Sequence, residues 1–290
     1  MLTLLVLFSK FGLYLTALMG LGAALHSAAA IVTPRRWLVI LGLGLIIAVS
    51  LRLALLNAQL AGGLSAAFSP DTFSWIWPAN RSQAIAFLAG GGLIAASSLA
   101  PLKYLKLPAA LLVAAGFGLG GHTQGLDTPG LAPWFAGVHA LIAGFWIVAP
   151  FTLWPHASFD ADLVHARMER FSKIALWCVP LLFVSGLWLT LRLAGSLEAI
   201  LSSSYGQLLL AKLVLATLAL AIGAWNKLRI TQLLKNDAPS GVASLKRSLG
   251  ADILVFAGIL LVIASATTLT GPGALRALTT PRENWDVLYV

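Results

Sequence analysis

The sequence predicts an all-α, polytopic integral membrane protein with about eight transmembrane helices in a single domain spanning residues 1–290. Three observations carry this prediction. Hydrophobic residues make up 59% of the chain and charged residues only 10%, with a mean hydropathy of +0.90, whereas soluble domains are about one quarter charged. Apolar runs near the roughly 20 residues a spanning helix needs follow one another along most of the chain. Basic residues concentrate on alternate connections between those runs.

The runs cover residues 4–32, 37–61, 82–100, 105–120, 132–153, 174–193, 206–226 and 250–270. The first resembles a secretory signal in its small residues Ala28 and Ala30, but no basic region precedes it and Arg35 and Arg36 follow it. That charge order predicts a retained span with its amino end outside. The second run ends before an aromatic connection, 62–81, whose Phe68, Phe73, Trp75 and Trp77 suit a segment lying flat in the outer interface as an aromatic belt or a partner-docking surface. The third run is unremarkable in composition. The fourth is the shortest and carries Pro108, although Gly116, Gly118, Gly120 and Gly121 would permit close helix contact.

A short outer connection, 121–133, leads into the fifth run, which should therefore neighbour the fourth. Residues 155–173 form a charged inner connection ahead of the sixth run, and residues 227–249 a polar inner connection between the seventh and eighth, broken around Asn236, Asp237, Pro239, Ser240 and Gly241. The last twenty residues form an outer tail.

Of the nineteen Lys and Arg residues, twelve fall on the connections after runs one, three, five and seven, and only Arg81, Arg192, Arg276 and Arg282 on the opposite side. This pattern predicts both termini outside. It also accounts for the net charge of +9 as membrane topology. No folded basic surface for nucleic acid and no phosphate-binding loop for a nucleotide is found. Cys178 is the only cysteine, so an internal disulfide and a paired-cysteine metal motif are both excluded.

Histidines are the candidates for chemistry, because an intramembrane imidazole needs a hydrogen bond, a proton partner or a metal. His139 lies about 10 Å below the outer end of the fifth run at 1.5 Å per residue. His122 sits at the mouth of the fourth, which puts two nitrogen ligands within reach of one ion. Trp146, two turns after His139, shares its face. His26 belongs to the inner half of the first run, and Met19, seven residues earlier, would complete a soft imidazole and thioether pair suited to Cu(I). For each of these residues, packing or a backbone hydrogen bond is the competing reading. His156 and His165 lie in a charged connection, where solvation accounts for them. Lys10, Arg52 and Lys212 fall in the outer halves of their runs, where snorkelling to the surface is the ordinary behaviour. Facing inward, they would instead repel a naked cation and argue against an open cation pore.

From Arg170 onward the segment Arg170-Phe171-Ser172-Lys173-Ile174-Ala175-Leu176, the Ser185-Gly186-Leu187 turn, Tyr205-Gly206-Gln207-Leu208-Leu209, Lys212 and Asn226-Lys227 together resemble the copper resistance D (CopD) membrane family. Gly121-His122 and the His139 to Trp146 spacing are similar to the same family's outer histidine and His/Trp helix, so the resemblance spans about residues 115–270. It implies a multi-pass protein of the cell inner membrane, with a periplasmic outer face, that supports copper resistance or uptake. It also implies a small periplasmic copper-binding β-sandwich protein as partner, since that domain is fused to some relatives and is not found in this sequence.

The expectation is a non-enzymatic copper-handling protein that moves copper, as Cu(I) or Cu(II), inward from the periplasm. His122 and His139 would be the first ligands, with His26 and Met19 deeper. Two rivals remain open: a haem- or quinone-linked redox protein, and a metal-free scaffold for membrane assembly.

Overall fold

The computed structural model describes residues 2–31, 33–121, 124, 126, 128–155, 161–194 and 196–269. Among these are eight long helices and no strand: α1 (Leu2–Ala28), α2 (Arg35–Leu60), α3 (Pro70–Ala96), α4 (Lys106–Gly118), α5 (Ala132–Ile147), α6 (Ala161–Ala194), α7 (Ser204–Trp225) and α8 (Ala238–Leu269). Helices suit the bilayer because every backbone donor and acceptor is satisfied within the segment. Leu2 and Leu269 mark one end of the bundle, here called the terminal end, and the other is the loop end. The positive-charge pattern predicts that the terminal end faces outward.

The helix ends follow local chemistry. Pro70 occupies the first turn of α3 after Ser69, where its missing N–H costs nothing. Ser203 caps α7 by accepting the Gly206 N–H at 3.0 Å. Between α7 and α8 the backbone breaks only at Asp237, whose carboxylate accepts from Ser240 N and Oγ at 3.3 and 2.6 Å.

α1 is the central post, packed against α2, α4, α5 and α8. Small residues set the closest crossings, as expected where lipid provides no hydrophobic drive between helices. A Cβ on Gly22 would run into the Gly144 carbonyl where α1 meets α5, and Gly42 and Gly91 play the same part between α2 and α3. At the lipid boundary α6 and α7 expose large apolar side chains, among them Trp177 and Val214.

Among the described residues seven helices are long and apolar enough to cross a membrane; α3 falls outside that set. It is still a continuous 27-residue helix packed between α2 and α4, but its first half carries Asp71, Asn80, Arg81 and Gln83. The expected flat aromatic segment is thus corrected: from Pro70 onward it is the start of α3, with Phe73 stacked on Trp77 at 5.6 Å between ring centroids.

Both expected inner connections are likewise largely helical. From Ala161 the charged one is already α6, and the polar one is filled by a π-helical turn (Asn226–Ile230), a short helix (Thr231–Asn236) and the first turns of α8. The reason is a second apolar cluster at the loop end, in which Val164 and Met168 of α6 meet Leu234, Leu245 and Leu249. Pairs at i, i+4 put one apolar stripe on each otherwise charged helix. Of the sequence expectations, His122, His156 and the tail 270–290 lie outside the described residues.

Candidate functional site

α4 and α5 pack against each other, as the short connection between them predicts, and His139 of α5 reaches the interior. A cavity of about 410 Å³ occupies the terminal half of the bundle and reaches down to Trp146. His139 and Trp146 both line it, as their two-turn spacing requires.

The seat of His139 is built by α6. Its Nδ1 lies 3.1 Å from Ser185 Oγ, while Ser185 Oγ donates its own hydrogen to the Leu182 carbonyl at 3.0 Å. Where Ser185 Oγ keeps that bond it accepts from Nδ1–H of a neutral His139, the tautomer in which Nε2 carries the lone pair. Gly186 leaves room for the ring, since a Cβ there would stand 3.0 Å from His139 Cε1. Ser185 and Gly186 entered the sequence analysis only as a resemblance. Their pairing with His139 across 46 residues has no local signal.

His26 is arranged the opposite way. It is fully buried at the loop end of α1. Nε2 donates to the Phe145 carbonyl at 2.8 Å, which leaves Nδ1 of a neutral ring to accept from Thr152 Oγ1, also at 2.8 Å. Its ring packs against Phe145 and Phe171, which stack on each other at 5.3 Å. Both nitrogens of this expected deeper ligand are therefore engaged, and a metal would have to displace one bond. Met19 is buried in the main apolar core. The structure does not bring His26 to His139, and among the described residues no three of His, Cys, Asp and Glu converge as a metal site.

Lys10, Arg52 and Lys212 depart from the snorkelling expectation: all three line the cavity that His139 lines. Lys10 Nζ donates to the Thr267 carbonyl at 3.0 Å. Arg52 Nη1 donates to the Val6 carbonyl at 3.2 Å and to Ser9 Oγ at 3.5 Å. Lys212 has no hydrogen bond or ion pair among the described residues. Polar residues far apart in sequence are gathered here because the terminal halves of α1, α2 and α7 all border one space.

Residues 165–266 match the family model described as Copper resistance protein D. No curated protein matches the chain, and no solved structure does. The matched residues run from the first turns of α6 to near the end of α8, so they include Ser185, Gly186 and Lys212, while His139 and Trp146 precede them. Over α6 to α8 the chain is thus similar to the family described as Copper resistance protein D.

Proposed function

We propose that this protein moves copper inward from the terminal side of the bundle, with His139 as the first ligand inside the membrane and His122 as its partner at the mouth. The observation that supports it is the state of His139. Its ring lines a cavity and its Nδ1 is held by Ser185, which in the Nδ1–H tautomer leaves the Nε2 lone pair for a metal. An imidazole oriented through its other nitrogen is the usual form of a histidine ligand, and it suits either copper oxidation state. His26, with both nitrogens engaged, serves in this reading as a fastening between α1, α5 and α6, and Met19 as packing.

Three cationic side chains on the same cavity disfavour a water-filled pore for a bare cation. Copper then passes by exchange between ligands, or is handed over by the small periplasmic β-sandwich protein that the family resemblance implies. The charge pattern supports the terminal side as the outer face, and the family resemblance supports reading that face as periplasmic and the membrane as the inner one. The role is to handle copper without transforming it.

The test is copper content and the visible spectrum of detergent-purified protein loaded under reducing conditions, wild type beside a His122→Ala/His139→Ala double variant. Copper retained by the wild type and lost in the double variant supports the reading. A haem Soret band would move the function to redox chemistry, and neither signal would leave a scaffold.

A further inference from the structure

The cavity is oversized and wrongly charged for a metal ion alone. At about 410 Å³ it falls in the range of sites for organic ligands, which are mostly apolar with a few placed polar groups. Its polar groups sit toward the terminal end, with Lys10, Arg52 and Lys212 among them, and its deeper wall is apolar and aromatic, including Phe87, Trp146 and Phe256. No Asp or Glu is among the described residues that line it.

Three basic side chains around one intramembrane space with no acidic partner are costly, and such residues pair wherever a counter-charge exists. The carbonyl bonds of Lys10 and Arg52 leave donors to spare, since an ammonium has three N–H groups and a guanidinium five. Lys212 brings all of its own. Carboxylate and phosphate oxygens are what such donors recognise.

Access is also provided. α6 and α7 each form a wall of the cavity, α6 through Phe183 and Leu187 and α7 through Leu209 and Ala216, yet the two helices touch each other little. A ligand dissolved in the bilayer can therefore enter sideways between them.

We infer that this cavity binds an anionic amphiphile, its carboxylate or phosphate head held by Lys10, Arg52 and Lys212 and its hydrocarbon body lying along Phe87, Trp146 and Phe256. This goes beyond the copper reading and does not rest on it.

The experiment measures binding of tritiated palmitate to the full-length protein in nanodiscs of phosphatidylcholine, with phosphatidylglycerol, hexadecanol and inorganic phosphate as competitors. Saturable palmitate binding that hexadecanol fails to displace, and that falls tenfold or more in Arg52→Gln and Lys212→Gln, is the expected result. Competition by phosphatidylglycerol would identify a lipid source for the head, and palmitate binding without it a free fatty-acid source; both uphold the site. Ala216→Trp fills the apolar wall and leaves every charged residue in place, and should also abolish binding, which covers the case in which a charge variant does not fold. Binding that is absent, that is unchanged in all three variants, or that inorganic phosphate displaces as well as palmitate does would overturn the proposal. Ser185→Ala, at a residue that does not line the cavity, should leave palmitate binding within twofold of wild type while copper retention falls, so failure of the copper site and failure of this one read out separately.

Discussion

His139 Nδ1 and Ser185 Oγ are joined across α5 and α6 by a 3.1 Å hydrogen bond, and the same hydroxyl lies 3.0 Å from the Leu182 carbonyl. That bond orients the imidazole, and in the Nδ1–H tautomer it leaves Nε2 for a metal. Replacing an outer partner of a metal-binding histidine costs roughly 10–100-fold in metal affinity. Ser185→Ala should weaken copper retention by that order while the helical spectrum stays that of the wild type. Unchanged retention would detach Ser185 from the site.

Gly186 fixes the same ring by what it lacks. A methyl group 3.0 Å from His139 Cε1 must push the imidazole or part the helices, and overpacking of this kind costs about 1–3 kcal/mol. Gly186→Ala should therefore lower the melting temperature in detergent and reduce copper retention together, whereas Ser185→Ala reduces retention alone.

His26→Ala tests the division of labour between the two intramembrane histidines. It removes both partners' bonds at once and leaves the Phe145 carbonyl facing a buried gap, where an unsatisfied group costs roughly 1–3 kcal/mol, while the Thr152 hydroxyl keeps the Val148 and Ala149 carbonyls as acceptors. The melting temperature should fall clearly. Copper retained per folded molecule should match the wild type, and its loss would return His26 to the ligand set.

Gly22→Ala should be among the most damaging single methyl additions. Its Cβ meets the Gly144 carbonyl and Val148, backbone and branched side chain that cannot swing aside, at the crossing of α1 and α5. Little folded monomer should be recovered from detergent, as judged by size-exclusion chromatography. Gly12→Ala, with nothing nearby to meet, is the matched control.

Asp237 gives a pH-dependent check outside the spans. Hydrogen bonds from the Ser240 side chain and backbone hold its carboxyl below the ordinary value of 3.8. A depressed folded value means stabilisation that is full above the unfolded value and lost as pH falls through the folded one. The melting-temperature gap between wild type and Asp237→Ala should be steady above about pH 5 and shrink below about pH 4.

Much of the fold was written locally. Apolar runs of spanning length, bordered by Arg35 and Arg36, by Lys103 and Lys106, or by Lys227 and Arg229, gave the number and order of the helices because lipid forces each run to satisfy its own backbone. Composition alone misplaced the helix ends at 70–81, 161–173 and 227–249. Those segments carry charge, and their helices depend on apolar partners such as Met168 and Leu245 that only meet in three dimensions.

For the site, the sequence by itself picked out His139, its face shared with Trp146, and the oddity of three basic residues in apolar surroundings, since each is legible from spacing or from the cost of burying charge. It could not tell a histidine with a free lone pair from one with both nitrogens engaged. Hydrogen-bond partners 46 and 126 residues away decided that. Nor could it tell a snorkelling lysine from one that lines a cavity. The direction of a side chain depends on which helices flank it, and that is a property of the packed bundle alone.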